Sequence, residues 1–226
     1  MGYRSERMVK AVVFDLFETL VTQSGTAVPR AGALGGALGL DAIAYRKEWK
    51  RLRPLALRGE LTFADALTRV GTTLRVAIAA EGVQHACDER IRANAMVFEK
   101  ADSELVALTR DLCARGVRLA TISNCMAEDV AGWPGCAFAP HFQSSVFSFV
   151  AGALKPDPQI YLDATERLGV KPEETLYIGD GGDDELAGAQ RAGLGAAQAT
   201  WFVSRAVSPG VPVLANRQDV MRLVCG

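Results

Sequence analysis

The chain has 226 residues, 49% of them apolar, enough to fill a sizeable core and to exclude a disordered protein. Its 25 basic and 26 acidic residues leave a net charge of −1, without the basic excess that nucleic acid demands, and no apolar run approaches the roughly 18–20 residues of a membrane span. Five scattered cysteines without a CxxC pair argue against a disulfide framework or a zinc site, and residues 1–7 carry no signal-peptide core, so a soluble cytoplasmic protein is expected, with no nucleic-acid or membrane partner.

In chain order, the first signal is Val12-Val13-Phe14-Asp15-Leu16-Phe17-Glu18-Thr19-Leu20. An apolar run that reads as a buried parallel strand ends on a carboxylate, and a hydroxyl follows. At the carboxyl end of a strand in an open α/β sheet such a side chain faces a crevice. Taken alone, an Asp at a strand end also serves as a turn or capping residue. From about Pro29 to Glu99 the apolar period changes to that of helices. Leu34, Leu38, Leu40, Ile43 and Tyr45 mark one; Trp49 and Leu52 follow before Pro54 breaks it; Phe63, Leu67, Val70 and Leu74 mark another, capped by Thr62 with Asp65. Gly59, Gly71 and Gly82 are predicted breaks, and the segment reads as a bundle of about four helices.

From Ser103 helix and strand alternate. A helix over 104–114 is stopped by Gly116, and a strand over 117–122 ends at Ser123-Asn124. A short strand over 145–150 precedes Gly152-Ala153-Leu154-Lys155-Pro156-Asp157-Pro158, and a helix over 160–168 ends at Gly169. A strand over 175–178 ends at Gly179-Asp180, a helix follows over 186–192, a strand lies within 196–202, and an edge strand (211–214) and a helix (219–224) close the chain. Such alternation implies right-handed crossovers and a parallel sheet. The expected fold is therefore α/β: a Rossmann-like parallel-sheet core of residues 1–22 and 100–226, interrupted by an inserted α-helical cap domain of residues 23–99 over the carboxyl ends of the strands.

Four polar sites follow strand-like runs in order: Asp15 with Thr19, Ser123 with Asn124, Lys155, and Asp180 with Asp183, Asp184 and Glu185. A carboxylate is a competent nucleophile toward a phosphoryl group when it is held in line and the charge on the transferring oxygens is neutralised, which makes Asp15 the candidate. The Ser123 hydroxyl and the amide groups of Asn124 are donors for those oxygens. Lys155 supplies an ammonium to bridge nucleophile and ligand anion. Asp180 beside Asp15 places two like charges in one pocket, which is costly unless a cation lies between them, and hard oxygen ligands suit Mg²⁺. The run Asp183-Asp184-Glu185 also suits a helix N-terminus. Cys125 and Cys113 read as buried small hydrophobes, and neither His85 nor His141 has the partners of a catalytic triad.

These sites in this order, with a helical segment after the first, strongly resemble the haloacid dehalogenase-like hydrolase superfamily over nearly the whole chain. The most specific parts are Lys155-Pro156-Asp157-Pro158 with Ile160-Tyr161, and Gly179-Asp180 leading into Leu186-Ala187-Gly188-Ala189. The resemblance implies a hydrolase, with Asp15 as nucleophile oriented by Thr19. It implies Mg²⁺ held by Asp15, the Phe17 carbonyl and Asp180, and a second layer of Asp184 and Glu185 holding metal waters or orienting Lys155. The reaction implied is hydrolysis of a small phosphorylated metabolite through an aspartyl-phosphate; a small anionic substrate is the expected partner, and the chain acts as a monomer or homodimer.

The pattern departs from the family at one point. Phosphatases of the superfamily usually carry a second Asp two residues after the nucleophile as general acid and base, and this chain has Phe17 there. Three readings follow. The first is a phosphatase with a good leaving group, a proton from water, or Glu48 or Glu60 standing in. The second is a relative of the 2-haloacid dehalogenases, which have tyrosine at that place and need neither proton nor metal; Arg46 is the candidate substrate contact from the cap. The third is a catalytically degenerate binding protein. The resembling dehalogenases replace the metal-binding acid by small polar residues, whereas this chain keeps Asp180 and adds three acids, so metal-dependent phosphoester hydrolysis ranks first.

Overall fold

A computed structural model describes residues 9–25 and 34–226. Six strands form one parallel sheet: β1 (Ala11–Asp15), β2 (Arg118–Ser123), β3 (Ser144–Phe147), β4 (Thr175–Gly179), β5 (Gly195–Ala199) and β6 (Val213–Leu214), in the spatial order β3-β2-β1-β4-β5-β6. The first strand thus sits in the middle and is buried along its whole length. Its side chains alternate, Val12 and Phe14 entering one apolar layer and Ala11 and Val13 the other, as the two-residue period of a strand requires. Helices α5 (Ser103–Ala114) and α9 (Arg217–Cys225) contribute Leu105, Leu112 and Val220 to the first layer. Helices α7 (Pro158–Leu168) and α8 (Glu185–Arg191) contribute Ile160, Tyr161, Leu186 and Ala189 to the second.

The register decides where the polar residues meet. Asp15 is paired with Ile122, Phe14 with Ile178, and Gly179 with Gln198, so the carboxyl ends of β1, β2, β4 and β5 lie along one edge. Between β1 and β4, where the strand order reverses direction, lies the crevice in which open α/β sheets bind ligands.

Residues 34–99 hold four helices: α1 (Leu34–Ala37), α2 (Ala42–Leu57), α3 (Phe63–Leu74) and α4 (Ala80–Glu99). They bury an apolar cluster of their own, with Tyr45, Trp49, Leu52, Phe63, Leu67 and Val70 at its centre. Pro29 and residues 26–33, part of the predicted helical region, lie outside the described residues. Several expected breaks are not breaks. Helix α2 runs through Pro54, which sits in its last turn at the loss of one backbone donor, and Pro54 itself accepts the amide of Arg58 at 3.1 Å. Gly71 and Gly82 sit inside α3 and α4, and only Gly59 ends a helix. A Cβ on Gly59 would lie 2.0 Å from the carbonyl oxygen of Phe149, so this glycine is the point at which the turn after α2 meets the α/β core.

The second seam between the two parts is polar. Arg90 of α4 pairs with Asp129 at 2.5 Å, Asn94 donates to the same carboxylate at 3.3 Å, and Gln23 donates to Asn94 at 2.9 Å. The predicted strand over 145–150 divides into β3 and a short helix α6 (Ser148–Ala151). The Ser148 hydroxyl both accepts from the amide of Cys125 (3.0 Å) and donates to its carbonyl (3.1 Å), replacing the ladder and letting the chain turn.

Candidate active site

The site is built at the carboxyl edge of the sheet. Asp15 is the last residue of β1 and is 5% exposed. The Thr19 hydroxyl donates to its Oδ2 at 3.2 Å from the turn that follows. Lys155 Nζ donates to Asp15 Oδ1, to Glu185 Oε2 at 2.5 Å and to the Tyr177 hydroxyl at 3.1 Å, all of them buried. Asp180, one residue past β4, and Glu185, the first residue of α8, complete the ring: an oxygen of each of Asp15, Asp180 and Glu185 lies within 4.8 Å of the others. Two glycines allow this crowding. A Cβ on Gly179 would lie 2.3 Å from the Glu185 carboxylate, and one on Gly188 would meet Pro156 and the Tyr161 hydroxyl at 2.8 Å. The second contact lets α8 approach the Lys155 loop, and Tyr161 ties them by donating to the Glu185 carbonyl at 2.8 Å.

A cavity of about 200 Å³ opens over these groups, lined by Asp15, Phe17, Glu18, Ser123, Asn124, Lys155, Asp180, Gly182, Asp183, Glu185 and Arg205. Every one of these lies outside residues 34–99. Ser123 is 1% exposed and lines the cavity from the end of β2. The Asn124 side chain is committed differently: its amide donates to the Lys155 carbonyl at 2.9 Å and its carbonyl accepts the Lys155 backbone amide at 2.8 Å. It therefore clamps the lysine loop to the end of β2 while Asn124 lines the cavity.

Electrostatics follow from burial and crowding. Burial, with the Glu185 carboxylate alongside, pushes Asp15 up to about 7 against the opposing pull of Lys155. Burial works against a charged Lys155, but the Asp15 and Glu185 carboxylates outweigh it and raise the ammonium above its ordinary value. Burial raises the Tyr177 hydroxyl, and the Glu185 and Asp15 charges add to the effect, so it stays a neutral donor. The cavity is thus lined by five carboxylates against two cationic side chains. Hard oxygen donors with surplus negative charge fit a small divalent cation such as Mg²⁺.

A model of the haloacid dehalogenase-like hydrolase family matches residues 9–193. The chain belongs to this family. A glyceraldehyde 3-phosphate phosphatase of Methanopyrus kandleri is 28% identical to it over 198 residues, covering 83% of this chain and 82% of the relative. Among solved structures, a 2-haloacid dehalogenase from Pseudomonas syringae pv. Tomato DC3000 superposes with a TM-score of 0.70 at 21% identity, covering 96% of this chain and 98% of the other. A phosphatase from Thermococcus onnurineus superposes with a TM-score of 0.65 at 17% identity, with the same coverages. At these identities the superpositions establish the hydrolase fold alone.

Within this hydrolase four predicted residues, Asp184, Arg46, Glu48 and Glu60, stand apart from the cluster. Asp184 turns outward onto Arg191 at 3.3 Å, because Asp183 and Asp184 both adopt left-handed backbone (φ 50° and 57°), and Asp183 lines the cavity instead. Arg46 is exposed on α2, its Nε donating to the Ala42 carbonyl at 3.1 Å, and it does not line the cavity. Glu48 pairs with Arg51 at 3.0 Å on the same helix, and Glu60 is likewise away from the cavity. Phe17 packs edge-on against Phe98 of α4, with ring centroids 6.2 Å apart, so an apolar ring stands at the cavity rim.

Sequence reading missed four participants. Glu18 lines the cavity in left-handed conformation (φ 63°), and its carboxylate accepts from the Thr22 hydroxyl at 2.6 Å and the Gln23 amide at 2.9 Å. Tyr177 falls inside the predicted strand over 175–178, where nothing singled it out for a polar role. Arg205 donates from Nε to Asp180 Oδ2 at 2.6 Å from the loop between β5 and β6. Gln198, fully buried at β5, links that loop to the Asp180 carbonyl. Gly179-Asp180 was the signal for the first half of this pair; nothing in the local pattern marked the second.

Proposed function

We propose that this hydrolase is a phosphoric monoester phosphatase acting on a small phosphorylated metabolite, with Asp15 as nucleophile and Mg²⁺ as the charge partner. One observation carries the reading: an oxygen of each of three buried carboxylates lies within 4.8 Å of the others, and the buried Lys155 ammonium meets only two of them, a crowding that a divalent cation would relieve and that a metal-free dehalogenase has no use for. The similarity to a glyceraldehyde 3-phosphate phosphatase over most of both chains supports it.

Asp15 and Asp180 would hold the ion, with the Phe17 carbonyl as third protein donor, and the ion would supply charge neutralisation for the phosphoryl oxygens. Glu185 belongs to Lys155 in this scheme: with Tyr177 it fixes the ammonium beside Asp15. Thr19 fixes the carboxylate rotamer, and Ser123 offers its hydroxyl to an equatorial oxygen. Asp15 Oδ attacks phosphorus as the bond to the leaving oxygen breaks. Water then attacks the aspartyl-phosphate, the bond from phosphorus to Asp15 breaks, phosphate departs and the carboxylate returns.

Phe17 cannot protonate the leaving oxygen, and the Glu18 carboxylate is engaged by three donors, Thr22, Gln23 and Ser24. The scheme therefore favours substrates whose leaving group departs as a stable anion, such as acyl or aryl phosphates. The helical segment of residues 23–99 acts as a cap that governs access. Phe17 also favours a second reading, 2-haloacid dehalogenation, because a halide needs no proton. A paired assay separates them. Phosphate release from acetyl phosphate or p-nitrophenyl phosphate that EDTA abolishes supports the phosphatase; chloride release from 2-chloropropionate in EDTA overturns it. Binding of Mg²⁺ and phosphate without turnover of any substrate would mark a degenerate binding protein.

A further inference from the structure

We propose that Arg205 is a built-in counterion of the cation site: it holds Asp180 when no metal is bound, competes with the metal for that carboxylate, and is released toward the substrate anion when the metal wins. The inference rests on the Mg²⁺ reading above and goes beyond it.

The contact is a constructed one. Asp180 has both oxygens engaged, Oδ1 accepting from the Gly182 amide at 2.9 Å and Oδ2 from Arg205 Nε at 2.6 Å. Asp180 itself is buried while the Arg205 side chain is 48% exposed, so a displaced guanidinium has room to leave. The loop that carries it is tied to the site from below. Buried Gln198 donates through one amide nitrogen to the Asp180 carbonyl and to the Ala206 carbonyl, both at 3.1 Å, and its oxygen accepts the Ser208 amide at 2.9 Å. A second tie comes from Trp201, whose indole donates to the Thr19 carbonyl at 2.8 Å. The loop thus reports on both the metal-side acid and the turn that orients the nucleophile.

Charge gives the arrangement its purpose. Lys155 is saturated by two carboxylates and a phenol, whereas Arg205 faces Asp180, with Asp183 and Glu185 in electrostatic reach. A cation arriving at Asp180 removes the attraction that holds the guanidinium and repels it, and a rigid fork of donors is then free for phosphate oxygens.

Isothermal titration of MgCl₂ into wild type, R205Q, R205K and D180N without substrate tests this, followed by titration of inorganic phosphate at saturating Mg²⁺. Loss of the competing charge should tighten Mg²⁺ binding by about tenfold in R205Q and much less in R205K, as expected for one charge beside a partly exposed site. Phosphate binding to the Mg²⁺-loaded R205Q protein should weaken by a similar factor. Equal Mg²⁺ affinity in wild type and R205Q, with D180N defective, overturns the role of Arg205 and leaves the metal reading standing. Absence of Mg²⁺ binding in wild type and R205Q alike overturns both.

Discussion

The α/β core and the helical segment of residues 34–99 solve different problems with different chemistry. The core concentrates charge: Asp15, Lys155, Asp180 and Glu185 are buried at one sheet edge, and every residue lining the cavity above them belongs to it. The helical segment concentrates apolar volume, with stacked Tyr45 and Trp49 and edge-on Trp49 and Phe63 at its centre, and sends its basic side chains outward apart from buried Arg90. Crowded like charge is costly to fold and useful for binding, whereas a small apolar bundle only has to hold its shape. Stability and chemistry should therefore respond oppositely to substitution in the two regions.

Asp15→Asn gives the sharpest contrast. Turnover should fall by about 10⁴-fold or more if Asp15 is the nucleophile proposed above. Stability should move the other way. A carboxyl whose folded pKa is raised binds protons better in the native state, so its contribution falls as pH rises from the ordinary carboxylate range through about 7, and the cost is fully present above that. At pH 8 without metal the Asn variant should melt higher than wild type, and each kcal/mol regained shifts Tm by roughly 2–4 °C. Below pH 4 the two should melt together. A variant that melts lower at pH 8 would mean that the Lys155 contact outweighs the crowding.

Phe17→Asp probes the one place where the core departs from its family. An acid there can donate to a leaving oxygen, so hydrolysis of alkyl phosphates should rise by about 10²–10⁴-fold while aryl and acyl phosphates change little. The steep dependence of kcat/KM on leaving-group pKa in wild type should flatten. Wild-type activity already insensitive to the leaving group would show that a proton donor is present after all.

The two regions also differ in how far the sequence disclosed them. Asp15, Lys155 and Asp180 were legible one by one, because each closes or follows an apolar run beside residues with strong local geometry. In the run Asp183-Asp184-Glu185 the pattern showed acids but not which face inward; that depends on two consecutive left-handed residues that no propensity scale favours. Asn124 was visible as a polar residue at a strand end, yet its task of clamping the Lys155 backbone depends on a loop 31 residues away. Arg205 was invisible, since its meeting with Asp180 is arranged by the hydrogen bonds of buried Gln198. In the helical segment the apolar period located the helices. The effect of Pro54 and the glycines did not follow from identity alone, because a breaker matters only by its position within the turn.

The seam between the regions offers a test of their independence. Asp129→Ala leaves Arg90 buried without its carboxylate, and Arg90 and Asp129 side chains are only 10% and 8% exposed. Breaking a buried pair by removing one partner costs about 3–5 kcal/mol. Urea unfolding followed by tryptophan fluorescence should show a loss of that size. Because the cavity lining lies in the core, kcat under folding conditions should fall less than tenfold. A collapse of kcat with little loss of stability would mean that the Arg90–Asp129 seam governs the site, and the division drawn between the regions would fail.

The smallest effect should stay confined to the helical segment. Thr62 and Asp65 form a reciprocal cap on α3: the Asp65 amide donates to the Thr62 hydroxyl oxygen at 3.0 Å, the Thr62 amide donates to the Asp65 carboxylate at 3.2 Å, and the two side chains bond at 2.7 Å. The Thr62 side chain also lowers the Asp65 carboxyl below its ordinary value, so the cap holds its full strength above the usual carboxylate range and weakens as pH falls through the lowered value. Thr62→Ala should cost about 1 kcal/mol, the usual worth of such a cap. Hydrogen exchange should quicken in the first turn of α3, at residues 63–67, and stay unchanged along β1 and β4. Faster exchange spreading to β1 would show that α3 and the central strand open as one unit, which the separate apolar clusters of the two regions argue against.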